Sequence, residues 1–143
     1  MNANKNFFLL LAFFLGLFVS YCQSPVGTWA TIDDETGKVK SHVQIYEKDG
    51  KLYGKIIKLL IKPENENCTK CSGAMKNKPL IGLEIMKGLK KDGEEWTGGT
   101  IVDPKKGKEY SCTVTMENKD KLKLRGYIGI SLIGRTQYWT RVK

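Results

Sequence analysis

KLKLRGYIGISLIGRTQYWTR, residues 121–141, is the stretch from which the fold is read. Leu122, Leu124, Gly126 and Ile128 alternate with Lys121, Lys123, Arg125 and Tyr127. After Gly129 a second alternation sets Ile133, Arg135, Gln137 and Trp139 against Leu132, Gly134, Thr136 and Tyr138. Successive side chains of an extended chain point to opposite faces, so this period of two predicts two β-strands. The second carries a Trp and two Arg and ends at the chain terminus. It is expected to be the seam that closes an antiparallel sheet onto Gly27-Thr28-Trp29.

The same period runs outward through the rest of the chain. A first strand over residues 25–32 ends at the turn-forming Asp33-Asp34-Glu35-Thr36-Gly37, and a second covers 38–48 with Val39, Ser41, Val43 and Ile45 on one face. Asp49-Gly50 predicts a tight hairpin into a long strand over 51–62, in which Gly54 suggests a bulge or bend. Residues 63–79 lack apolar periodicity and read as a functional loop or a strapped excursion, and 80–90 reads as either strand or a helical turn. Strands over 94–102 and 109–116 follow, joined by the Asp103-Pro104 turn, the latter with Tyr110, Cys112, Val114 and Met116 on one face. The total is about eight strands without strand-helix alternation. Because an open meander exposes two sheet edges, the expected fold is all-β, an up-and-down antiparallel barrel enclosing packed side chains or one small ligand.

With 143 residues the chain has room for one domain, expected over residues 23–143 as a monomer. Lys and Arg number 24 against 15 Asp and Glu, a formal charge of +9. The lysines are dispersed, without arginine clusters or interleaved aromatics, which argues against nucleic acid as a partner. Acidic envelope polymers and lipid head groups stay as candidate partners. Residues 1–22 have the layout of a secretory signal, with Lys5 ahead of an apolar run over 7–19 too short to span a membrane. Ser20 and Cys22 suit cleavage before Gln23, while Val19-Ser20-Tyr21-Cys22 resembles a lipobox in which Cys22 would carry lipid, although Tyr21 is bulky for that motif. Both readings place the protein outside the cytoplasm, in the periplasm or secreted, or as an outer-membrane lipoprotein, with no transmembrane segment in the mature chain.

Cys68 and Cys71 have the spacing of a small disulfide, a redox dithiol or half a zinc site. Cys112 and His42 are the only other ligands for zinc, and no helix context exists for a thioredoxin-type pair, so a disulfide stiffening the loop in an oxidising compartment is expected. Cys112, on an apolar strand face, reads as a free core cysteine. No catalytic residue, metal site or cofactor is expected.

Gly27-Thr28-Trp29 with Arg135 and Arg141 on the last strand resembles the calycin arrangement of lipocalins and fatty-acid-binding proteins, in which a terminal-strand Arg packs on the first-strand Trp. More of the chain is involved in a second resemblance: GTWATIDDETGKVKSHVQIYEKDGKLYGKI, CTKC, PLIG, WTGGTIVDPKKGKEYSC and LKLRGYIGISLIGRTQYWTR, in that order, are similar to the exported bacterial family called domain of unknown function 2147. That resemblance implies a small extracytoplasmic calycin-like barrel and no reaction. The expected function is non-catalytic binding of a small amphipathic or anionic ligand. Trp29, Arg125, Tyr127 and Arg135 are the candidate lining residues, on the premise that the Leu122 face packs outward; the converse, with the apolar face inside, is equally compatible with the alternation. The alternatives are a structural or interaction module with a packed barrel, and a thiol or metal protein using Cys68 and Cys71.

Overall fold

The computed structural model describes residues 23–143; the leader and both processing readings at Cys22 lie outside the described residues. Eight strands follow one another as β1 (Gly27–Ile32), β2 (Val39–Lys48), β3 (Lys51–Leu59), β4 (Glu84–Asp92), β5 (Glu95–Asp103), β6 (Lys108–Asn118), β7 (Lys121–Tyr127) and β8 (Gly134–Arg141). Each pairs antiparallel with the next, and β8 pairs with β1, so the sheet is a closed barrel without edges. One 3-10 turn, Gly73–Met75, lies in the long β3–β4 connection. Among the described residues no helix is long and apolar enough to cross a membrane.

The seam falls where the C-terminal stretch placed it. Trp29 pairs with Arg141 and Ala30 with Thr140, a short ladder that side chains reinforce. The Arg141 guanidinium lies 4.3 Å from the Trp29 ring centroid. Its Nη1 donates to the Val26 carbonyl at 2.9 Å, its Nη2 to Ser24 at 2.8 Å and its Nε to Lys119 at 2.8 Å. Trp29 is fully buried and its indole N–H donates to the Pro25 carbonyl at 2.8 Å. Gly27 admits this arrangement twice over, because its φ of 142° suits glycine and a Cβ there would collide with the guanidinium. Arg141, rather than Arg135, is therefore the arginine of the Trp–Arg pair.

Inside and outside are set by the core. Trp29, Val43, Ile45, Leu52, Leu89, Val114, Leu122 and Trp139 are buried in one cluster, so the Leu122 and Leu124 face of β7 is the lumen. β4 interrupts the period of two: Leu52 pairs with Leu89 and Tyr53 with Lys87, skipping Gly88, and Gly54 pairs with Met86 and Lys55 with Glu84, skipping Ile85. These bulges bury the consecutive Ile85 and Met86. They explain why residues 80–90 read ambiguously, and they put the irregularity opposite Gly54, on the partner strand. β3 ends at Leu59, short of the expected residue 62, and 80–83 form a turn in which the Leu83 amide donates to the Leu80 carbonyl at 3.1 Å.

Truncating the seam is the direct test of its weight. Trp29→Ala is expected to cost about 3–5 kcal/mol, the usual range for removing a buried tryptophan. Arg141→Ala should cost about 1–2 kcal/mol through the lost ring contact and carbonyl partners, and Arg141→Lys should recover only part because an ammonium lacks the planar fork. Urea unfolding measures both; a wild-type midpoint for Arg141→Ala would show that the ladder closes unaided.

Candidate functional site

The two ends of the barrel are built differently. At the seam end, where the tight β2–β3, β4–β5 and β6–β7 turns gather, Trp29, Ile45, Leu52, Leu89, Val114 and Leu122 pack the lumen shut. At the other end the β1–β2 turn, the long β3–β4 connection, the β5–β6 turn and the β7–β8 loop surround an open cavity of about 710 Å³. Its walls are Ile56, Ile85, Ile101, Leu124 and the inward faces of Tyr110 and Trp139. The alternation along β6 and β8 directs Tyr110 and Trp139 inward, and Gly126, without a side chain, faces Tyr110 and Ile101.

Among the described residues no buried polar side-chain atom lacks a partner. Thr31 Oγ1 and Ser41 Oγ share a 2.7 Å hydrogen bond between β1 and β2. A relay runs up β8 to the rim: Trp139 Nε1 donates to Gln137 Oε1 at 3.1 Å, Gln137 Nε2 donates to Asp34 Oδ2 at 2.7 Å, and Asp34 also pairs with Arg135. The relay ties the β1–β2 turn across the mouth to the last strand. Asp33 shapes that turn by accepting from the Thr36 amide at 2.8 Å, the Thr36 hydroxyl at 2.9 Å and the Glu35 amide at 3.1 Å. The Thr36 amide and hydroxyl hold the Asp33 carboxyl below its ordinary range.

The rim is crowded with charge. Lys40, Lys62, Lys70, Lys105, Lys106 and Arg135 stand against Asp33, Asp34, Glu64 and Asp103. Lys105 is taken up by Glu35 at 3.0 Å and Arg135 by Asp34, whereas Lys40, Lys62, Lys70 and Lys106 enter no ion pair among the described residues. The β3–β4 excursion that carries Lys62 and Lys70 is held by the Cys68–Cys71 disulfide and by backbone bonds from Cys68 to Lys78 and from Leu80 to Glu66, each 2.8 Å. It leans on the β5–β6 turn, where Cys68 Sγ lies 3.6 Å from the Pro104 carbonyl oxygen. Gly107 is required there, since any Cβ would collide with the Lys70 carbonyl.

The four candidate lining residues separate. Tyr127, at the top of β7, and Arg135, at the start of β8, stand at the cavity mouth. Arg125 does not line it: with Leu124 and Gly126 facing inward, alternation puts Arg125 on the outer face. There its guanidinium donates to the Ser131 and Leu132 carbonyls at 2.6 and 3.3 Å and to Thr136 Oγ1 at 2.8 Å, framing the β7–β8 loop. Trp29 is likewise not a lining residue; it is sealed beneath Arg141 at the far end. The walls Ile56, Ile85, Ile101 and Tyr110 escaped sequence reading. The signal that could have found them is Trp139, whose large apolar ring on the Arg135 face identifies that face as inward.

A closed antiparallel barrel of eight strands, plugged by a Trp–Arg pair at one end and open at the other, is a lipocalin-like architecture. Over residues 27–141 the chain matches the family described as "Uncharacterized protein conserved in bacteria (DUF2147)", and it belongs to that family. Among solved structures it is similar to protein HP1028 from the human pathogen Helicobacter pylori, described as belonging to the lipocalin family, with a TM-score of 0.73, 21% identity and 84% of each chain covered. At that identity the likeness is one of fold. No curated protein matches the chain. The disulfide and the bacterial family are compatible with an extracytoplasmic location.

Two chemical properties can be checked directly. Cys112 is fully buried, and burial pushes its thiol up to about 12. Alkylation followed by peptide mapping should therefore leave Cys112 unlabelled in the native protein up to about pH 10 and label it on unfolding. Labelling under native conditions would mean that the barrel opens at β6. For Asp33, whose carboxyl is lowered in the folded chain, the turn's grip is complete above the ordinary carboxylate range and is lost only as pH falls through the lowered value. Exchange of the Thr36 amide should accelerate there and not earlier.

Proposed function

We propose that this protein binds a small amphipathic molecule outside the cytoplasm, with the apolar body in the upper barrel and an anionic head group at the mouth. The observation that carries this reading is the cavity of about 710 Å³, apolar in its walls and lysine-bearing at its rim. A volume of several hundred cubic ångströms with few convergent polar groups suits a small ligand. It favours binding over a module with a packed barrel, and the joining of Cys68 to Cys71 weighs against a thiol or metal protein. The signal-like leader supports export. Tyr127 and Arg135 are the residues proposed to meet the head group, with Lys40 and Lys106 nearby on the rim.

The test is titration with a dansylated medium-chain fatty acid and its amine-headed analogue. The acid should bind saturably at one site and the amine more weakly. Ile101→Trp should abolish uptake by filling the cavity while leaving the thermal midpoint near wild type. Arg135→Gln should weaken the acid roughly tenfold and Asp34→Asn, which frees Arg135, should strengthen it by a similar factor, the scale of one charge-assisted hydrogen bond. Equal affinity for both probes would sink the anionic head group; uptake undiminished by Ile101→Trp would sink the lumen as the site.

A further inference from the structure

The β7–β8 loop, Ile128-Gly129-Ile130-Ser131-Leu132-Ile133, has no charged side chain and holds its aliphatic residues out from the barrel mouth. Leu132 is 86% exposed and Ile133 72%, with Ile128 and Ile130 also exposed. Leu60, Ile61 and Ile81, on the β3–β4 excursion, are exposed as well. Single exposed aliphatics are ordinary, but a contiguous cluster on one loop marks a surface that meets an apolar phase.

This loop is held in shape. Arg125 donates to the carbonyls of Ser131 and Leu132 from the outer face of β7 and to Thr136 on β8, and the Ile133 amide donates to the Ile130 carbonyl at 3.2 Å. With its carbonyls occupied by this frame, the loop presents side chains outward. Ile128 and Ile133 border the same opening as Lys40, Lys62, Lys70 and Lys106, the four rim lysines that enter no ion pair among the described residues. Aliphatic side chains that share one opening with ammonium groups outnumbering the remaining rim carboxylates, Asp33, Glu64 and Asp103, are complementary to one kind of surface, acyl chains beneath anionic head groups. They are poorly suited to a second copy of this chain, which would bring the same lysine collar and a formal charge of +9.

We propose that the open end of the barrel docks on an anionic lipid bilayer, with Leu132 and Ile133 entering the acyl boundary and Lys62 and Lys106 on the head groups. The proposal does not require a ligand in the cavity. It does place the mouth against the membrane, so that an amphipathic molecule would pass between bilayer and lumen without crossing water. Arg125 is a positioning residue for this contact: it touches no lipid and holds the loop that does.

Tryptophan fluorescence reads the contact at the loop itself. The three native tryptophans, Trp29, Trp96 and Trp139, are buried, so Leu132→Trp in the full chain, purified in its naturally processed form, adds the one exposed indole. Phosphatidylglycerol vesicles with brominated acyl chains should shift the reporter emission to the blue and quench it; phosphatidylcholine vesicles should not. Because the reporter sits on the loop, a tether elsewhere on the chain does not imitate the signal. Lys62→Gln with Lys106→Gln should weaken the response at least roughly tenfold, as should about 0.5 M salt. Arg125→Gln should reduce it with the folded circular dichroism spectrum retained, and Ile130→Trp is the second reporter if Leu132→Trp misfolds. The proposal is overturned by an unchanged emission on phosphatidylglycerol, by an equal response to both lipids, by indifference to the lysine substitutions, or by burial of the reporter through self-association without lipid.

Discussion

The contact between the Arg141 guanidinium and the Trp29 ring is the constraint on which the barrel depends. β1 and β8 share only two paired positions, fewer than any other neighbouring strands, so backbone hydrogen bonds alone close the ring weakly. Arg141 compensates by gathering the carbonyls of Ser24, Val26 and Lys119 around one planar cation. The N-terminal segment, the β6–β7 turn and the end of β8 thereby meet at a single side chain. Trp29 is buried under that cation and plugs the lumen, which makes one interaction both the clasp of the sheet and the floor of the barrel.

From that floor upward the lumen changes character for reasons of side-chain size and register. Large residues converge in the lower half, where Met86 and Val43 fill the space over Gly54, while Gly126 occupies an inward position higher up. The bulges on β4 and the one on β5 between Trp96 and Gly99 add residues to one side of the sheet, coiling it and turning Ile85 inward. A closed sheet with small residues and extra coiling on one side leaves space that its own side chains do not fill. The cavity is thus a consequence of where bulk is absent.

The mouth combines rigidity with an unusual surface. The relay from Trp139 through Gln137 and Asp34 to Arg135 locks the β1–β2 turn, the disulfide braces the excursion against Pro104, and Arg125 frames the β7–β8 loop. Three of the four connections at that end are therefore braced by side-chain chemistry, in the excursion together with the backbone bonds around Asn67 and Pro79. What they hold in place is a mouth that carries both lysines and exposed aliphatics, an arrangement with more use at an interface than in bulk water.

Much of this was legible in the chain itself. Period two through residues 38–48, 109–116 and 121–141, with Asp-Gly and Asp-Pro punctuation, determined strands, turns and the closing seam, because side-chain alternation and turn geometry are properties of a few neighbouring residues. The resemblance to calycins implied the Trp–Arg pairing but left Arg135 and Arg141 both open, and the spacing of Cys68 and Cys71 suggested their link. Which face of β7 is the lumen was not readable from its own alternation, since Leu122 with Leu124 and Arg125 with Tyr127 alternate equally well either way; the signal lay on the neighbouring strand, in Trp139, and takes effect only once the ring closes. Ring closure also moved Arg125 from a candidate ligand contact to an outer clamp and Trp29 from the lining to the plug. The sequence alone determined that there is a barrel and where it joins; the tertiary structure decided which end is open and which residues meet there, because inside and outside exist only once the ends have met.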